Sequence, residues 1–141
     1  MREGAELFRS VGQRVGLAHR ARLAEGLIAS GAIDEALAVI ADAVDQWRQT
    51  DEHAFAAVHL RLRGEAFVRH GDTDEAQRAF REAVDVASRQ GAWLFALRAA
   101  IGLARLDPRA NETLATITRR FPLTAESRDL DNARALLEQR P

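Results

Sequence analysis

A segment of this sequence returns 40 residues later, and that self-similarity constrains the fold more than any other feature. Gly31–Ala36 (GAIDEA) reappears as Gly71–Ala76 (GDTDEA), and the same offset matches Glu25 with Glu65, Ile40 with Phe80, and Ala43–Asp45 with Ala83–Asp85. A fixed register of this kind describes a unit that is built once and then stacked, because one small unit cannot bury its apolar face alone.

Within each unit the apolar residues recur at helical spacing on both sides of a glycine. Leu23, Leu27 and Ile28 precede Gly31, and Ile33, Leu37, Ile40, Val44 and Trp47 follow it; Leu60, Phe67 and Val68 precede Gly71, and Phe80, Val84 and Ala87 follow it. Glycine suits a turn that needs positive φ. Asp72 with Glu75 has the spacing of a capping box, and the pairs Asp34-Glu35 and Asp74-Glu75 place negative charge at the positive end of a helix. Small residues recur as well. Ala24, Gly64 and Ala104 lie 40 apart in the first helices, and Ala36 and Ala76 match in the second, so backbones can approach closely where helices cross.

The small-Glu pairs Ala24-Glu25 and Gly64-Glu65, the glycine turn, Asp-Glu-Ala, the bulky Ile40 or Phe80 and then Ala43 or Ala83 resemble the tetratricopeptide repeat consensus over two units. The helix-stopping proline of that consensus is replaced by Arg48 and Ser88, and the period exceeds the usual ~34 residues. Further segments, among them Ala79–Val84 (AFREAV), Leu97–Leu106 (LRAAIGLARL) and Asp129–Leu137 (DLDNARALL), are similar to the C-terminal repeat regions of bacterial predicted ATPases. Those regions accompany class III nucleotide cyclases or transcriptional regulators. The resemblance implies an all-α fold, a right-handed superhelix of antiparallel helix pairs with about seven helices, and a binding rather than a catalytic role.

Five segments are expected. Residues 1–12 resemble the second helix of a preceding unit whose first helix is missing, which would make the chain a fragment or a short paralogue of a longer array. Residues 13–50 and 51–90 are the two good units. Residues 91–121 form a degenerate unit, whose first helix stops before Pro108 and whose second, about Glu112 to Phe121, is short and Thr-rich. Residues 122–141 supply a capping helix over Ala125 to Gln139.

Composition narrows the function classes. Of 141 residues 47% are hydrophobic and 29% charged, the balance of a soluble globular chain, and a net charge of −1 offers no field to attract nucleic acid. All basic residues are Arg, which reads as nucleotide-composition bias before it reads as selection for carboxylate clamping. There is no cysteine, no signal-peptide pattern at the start and no membrane-length apolar run, so the expected location is the cytoplasm. No cofactor or metal is expected. His19, His53, His59 and His70 lack the i, i+4 pairing that puts two imidazoles on one ion and read as surface or groove-lining residues. Gly12–Gly16 lacks the strand and lysine of a phosphate loop, and Ser10, Ser30, Ser88 and Ser127 sit in no nucleophile elbow. Trp47 and Trp93 read as packing residues near unit junctions.

Two working surfaces remain. The tetratricopeptide resemblance implies that first helices face a concave groove. It selects Ala18, Ala21, Glu25 and Ala29 in the first unit, Val58, Arg61, Glu65 and Arg69 in the second, and Arg98 and Arg105 in the third. Arg61, Glu65 and Arg69 at i, i+4 and i+8 can form an ion ladder along one helix, or else Arg61, Arg69, Arg98 and Arg105 supply forked donors for a partner's carboxylates. Ala21 and Glu25 stand where a clamp for chaperone tails would need donors, which disfavours that ligand. The partner expected is a protein or peptide of unknown identity. The alternative is a homodimer formed through exposed array ends, with Leu7, Phe8 and Val11 at one of them.

Overall fold

A computed structural model describes residues 2–50 and 53–139. Met1, the start of the second expected unit at 51–52 and the last two residues of the capping segment lie outside the described residues, as does the side chain of Ser10. The described chain is an all-α solenoid without strands. Its helices are α1 (Arg2–Ser30), α2 (Ile33–Gln49), α3 (Ala56–His70), α4 (Thr73–Arg89), α5 (Trp93–Leu106), α6 (Asn111–Thr118) and α7 (Arg128–Glu138), with one 3-10 turn at Pro108–Ala110.

Two layers result. Each helix packs on the next in sequence, and the backbones of α1, α3, α5 and α7 also approach one another in succession, whereas those of α2, α4 and α6 do not, α2 and α4 being linked by the Arg48–Glu82 ion pair at 3.0 Å. Odd-numbered helices therefore line one side and even-numbered helices the other. The capping helix α7 occupies the place of a fourth first helix, which the sequence reading did not foresee. It begins at Ser127, whose hydroxyl accepts from Leu130 N at 3.1 Å, and buries Leu130 and Ala133.

The turns follow from backbone chemistry. Gly31, Gly71 and Gly91 have φ of 86°, 89° and 68°. Each carries the pair of bonds that closes a helix end at a left-handed residue: Ala32 N donates to Leu27 O, Asp72 N to Phe67 O and Ala92 N to Ala87 O, at 2.8–2.9 Å. The capping box is half-formed. Asp72 Oδ1 accepts from Glu75 N at 3.3 Å, but Glu75 reaches Arg78 instead of returning to the backbone of Asp72.

Residues 1–12 are not a separate helix. α1 runs unbroken for 29 residues through Gly12 and Gly16, so the expected boundary falls inside it. An exposed glycine costs a helix about 1 kcal/mol without ending it. A glycine stop like those at Gly31 and Gly71 has positive φ and a new helix start behind it; Gly12 has neither, being followed directly by Gln13 and Arg14. Leu23, expected in the core, is 45% exposed, and the buried stripe of α1 is Leu17, Ala21, Ala24 and Ile28.

The close crossing centres on Phe80. A Cβ added at Gly64 would lie 2.7 Å from its ring, and one at Gly102 would lie 2.6 Å from it, so the ring of α4 sits between glycines of α3 and α5. Gly64 was expected to let backbones approach, and it instead admits the Phe80 ring. Gly102, not Ala104, is the residue of α5 that makes room, and it stands 40 after Leu62, as Phe80 stands 40 after Ile40.

Candidate functional site

The odd-numbered helices and α4 enclose a groove of about 600 Å³. Its rim is made by α1, α3, α5 and α7, and the side chains reach it because helical residues three and four apart share a face. Of the ten residues selected by family position, the six charged ones, Glu25, Arg61, Glu65, Arg69, Arg98 and Arg105, line it. Ala18, Ala21, Ala29 and Val58 do not; Ala21 is buried and Val58 packs against the core.

The arginines divide into two kinds. Arg61, whose side chain is 16% exposed, pairs with Glu65 one turn along α3 and lies 3.9 Å from Glu25 of α1. One rung of the expected ladder thus forms, Arg61 to Glu65, without Arg69, and Arg61 also faces a carboxylate of the neighbouring helix. Arg98 Nε donates to Asp129 Oδ2 of α7 at 3.0 Å. Arg69 and Arg105 are exposed and make no ion pair among the described residues. A guanidinium in that state offers a planar fork of N–H donors that fits a carboxylate.

Three features of the groove escaped the sequence reading. Its floor is apolar, formed by Ile28, Val68, Phe80, Ile101 and Leu106. Phe80 belongs to a second helix and reaches the groove only where Gly64 and Gly102 leave a gap between α3 and α5; the unusual glycine at 102 was the available signal. Asp129 and Asn132 come from α7 because that helix takes a first-helix place. Nothing in the local pattern of residues 128–138 announces it.

His19, His53 and His70 are exposed, as expected, and His59 is not. His59 is fully buried, neither on the surface nor in the groove. Its Nδ1 lies 2.9 Å from Phe55 O and its Nε2 lies 3.1 Å from Leu17 O, so the ring bridges α3 to α1. A neutral imidazole has one N–H and donates to only one of these carbonyls. Burial pushes its pKa below the ordinary histidine value; the two carbonyls oppose that shift and nearby Arg20 adds to it. His70 lies 3.5 Å from Asp34 at the surface, and His53 meets the edge of Trp47. Among the described residues no three His, Asp or Glu side chains gather where they could hold a metal ion. Trp47 is buried, and Trp93 carries the guanidinium of Arg120 3.7 Å from its ring centre.

On the outer side Asp107 closes α5. Its buried carboxylate accepts from the backbone N–H of Arg109 at 3.0 Å and from the side chains of Arg109 and Arg81, which together hold its pKa below the usual carboxylate range despite burial. No helix among the described residues is long and apolar enough to cross a membrane.

No curated protein matches the sequence significantly. A sequence model of the tetratricopeptide repeat matches residues 15–89, more than half of the chain, from the core-facing half of α1 to the end of α4. Repeats of this type generally mediate protein–protein interaction and serve as non-catalytic scaffolds. With its glycine turns, paired helices and two-layer stacking, the chain belongs to the tetratricopeptide repeat family.

Proposed function

We propose that the groove binds a carboxylate-bearing segment of a partner protein and that the chain catalyses nothing itself. The observation that carries this reading is the pair of exposed, unpaired arginines, Arg69 and Arg105, beside an apolar floor. The floor would bury apolar side chains of the partner, and the arginines would receive its carboxylates through charge-assisted hydrogen bonds. Arg61 and Arg98, already tied to Glu65 and Asp129, hold the groove walls together. The resemblance to repeat regions of signalling ATPases and cyclase-associated proteins favours a cytoplasmic regulatory setting, with the chemistry on a different stretch of polypeptide.

The test uses a fluorescent amphipathic peptide with Glu on one face and a control with Gln in its place. Binding of the Glu peptide is expected to weaken with salt and to fall roughly tenfold in the double variant Arg69→Ala, Arg105→Ala. Equal binding of the two peptides, or no loss in the double variant, would remove the carboxylate reading.

A further inference from the structure

One position of the repeat changes sign across the inner layer. Glu25 of α1, Glu65 of α3 and Arg105 of α5 stand 40 residues apart, and all three line the groove. The charge of Glu65 is spent, because Arg61 is bonded to it. Glu25 keeps most of its reach: Arg61 comes no nearer than 3.9 Å, beyond hydrogen-bonding distance, and the Glu25 side chain is 56% exposed with no other ion pair among the described residues. Arg105 is exposed and forms none among them. The groove therefore offers a loosely held carboxylate on α1 and a free guanidinium on α5, with the Arg61–Glu65 pair of α3 between them. Leu7, Phe8 and Val11, exposed at the start of α1, lie outside it.

Glu25 and Arg105 are two helix spacings apart, roughly 16–20 Å. An extended chain covers that distance in about six residues, and an even spacing keeps both end side chains on one face. The two residues between them on that face point at the floor, one toward Ile28 of α1 and one toward Phe80 and Ile101, where α4 shows between α3 and α5. A helix is too wide: about 10–12 Å across, it would fill roughly 1,400 Å³ over the same span, more than twice the 600 Å³ of the groove. Resting on the carboxylate reading of this groove, we propose that the partner segment is extended and bipolar. It sets a basic side chain at Glu25, a carboxylate about six residues away at Arg105, and apolar side chains at the two intervening positions of the same face.

The test is fluorescence anisotropy with short labelled peptides. The reference peptide carries Arg and Glu about six residues apart, with Val at the two intervening positions of that face and Ser elsewhere, and is made in both chain directions. Its better direction is expected to bind about two- to five-fold more tightly than the same peptide with Gln for Arg. Placing the Arg next to the Glu should remove that gain. Glu25→Gln should abolish the advantage of the Arg peptide and leave binding of the Gln peptide unchanged; because Glu25 is exposed, the melting temperature should hold. Glu25→Arg should reverse the preference, favouring a peptide with Glu at both ends. Equal binding of the Arg and Gln peptides, a gain indifferent to spacing, or a Glu25→Gln loss shared by both peptides overturns the proposal. The two readings fail separately. If Arg69→Ala with Arg105→Ala weakens the Gln peptide while Glu25→Gln changes neither peptide, the carboxylate reading stands and the bipolar one falls; if the double arginine variant binds both peptides undiminished, both fall.

Discussion

Two junctions between helices in this molecule are built on opposite principles. Around Phe80, α4 is held between α3 and α5 by shape: a ring fills the notch that two missing side chains leave. Around His59, α3 is held to α1 by polarity: a buried imidazole reaches one carbonyl on its own helix and one on its neighbour. A junction made by volume is indifferent to pH and intolerant of added atoms. One made by a buried titratable group tolerates pH only while its charge state stays fixed.

The largest effect that would break this contrast is expected at Ala76, fully buried in the cluster of Phe80, Leu103 and Ala110. Ala76→Glu adds volume and a charge with no room for either, and should cost about 4 kcal/mol or more in urea denaturation. An unchanged midpoint would show that the helices there are not closely packed. Next come Gly64→Ala and Gly102→Ala. A single methyl set against the ring should cost about 1–3 kcal/mol, and Phe80→Leu in the same chain should recover part of the loss by withdrawing the ring. Additive losses would mean that Phe80 is not what limits the space.

The polar junction is sharpened by pH. His59 has a depressed pKa in the folded chain, so as pH falls below 6.5 the unfolded chain takes up a proton that the folded chain resists. Stability should therefore be level above that pH and fall below it by at most about 1.4 kcal/mol per unit, until the folded chain protonates too. His59→Gln should flatten this limb, whereas Gly102→Ala should keep it. A limb that survives in His59→Gln would assign it to another group.

The smallest effect is expected at Asp107, the charged element on the shape-based side. Its depressed pKa means that its contribution is present above the ordinary carboxylate range and is lost as pH falls through the lower, folded value. Asp107→Asn should remove that acid-limb contribution without changing the His59 limb. Both limbs can be read from thermal melts across the same pH series, and a change in the wrong limb would overturn the assignment.

Much of the site was legible in the sequence, for a definite reason. The 40-residue register places Glu25 and Glu65 at one point of successive first helices, and helical spacing then sets Arg61 and Arg69 beside them. The groove collects six of the ten expected positions, the charged ones, because long side chains reach it from places where Ala21 and Ala29 do not. The floor was missed because Phe80 belongs to the other layer and enters only through the gap at Gly64 and Gly102. The histidine reading failed at His59 for a similar reason: spacing along α3 says nothing of Leu17, a carbonyl 42 residues away on α1.

The sequence by itself determined where most helices run and that two of them turn at Gly31 and Gly71, since a glycine's dihedral freedom, a capping aspartate and apolar periodicity act over a few residues. It misjudged Gly12, where a glycine without a new helix start behind it stays inside α1. Only the tertiary structure decided which charges are spent and which are free. Arg98 loses its reach to Asp129 because α7 folds back into the inner layer, whereas Arg69 and Arg105 form no ion pair among the described residues, the Glu65 carboxylate one turn from Arg69 being taken by Arg61. An arginine carries the same charge in either case; its availability depends on what packing across distant segments sets within about 4 Å of it.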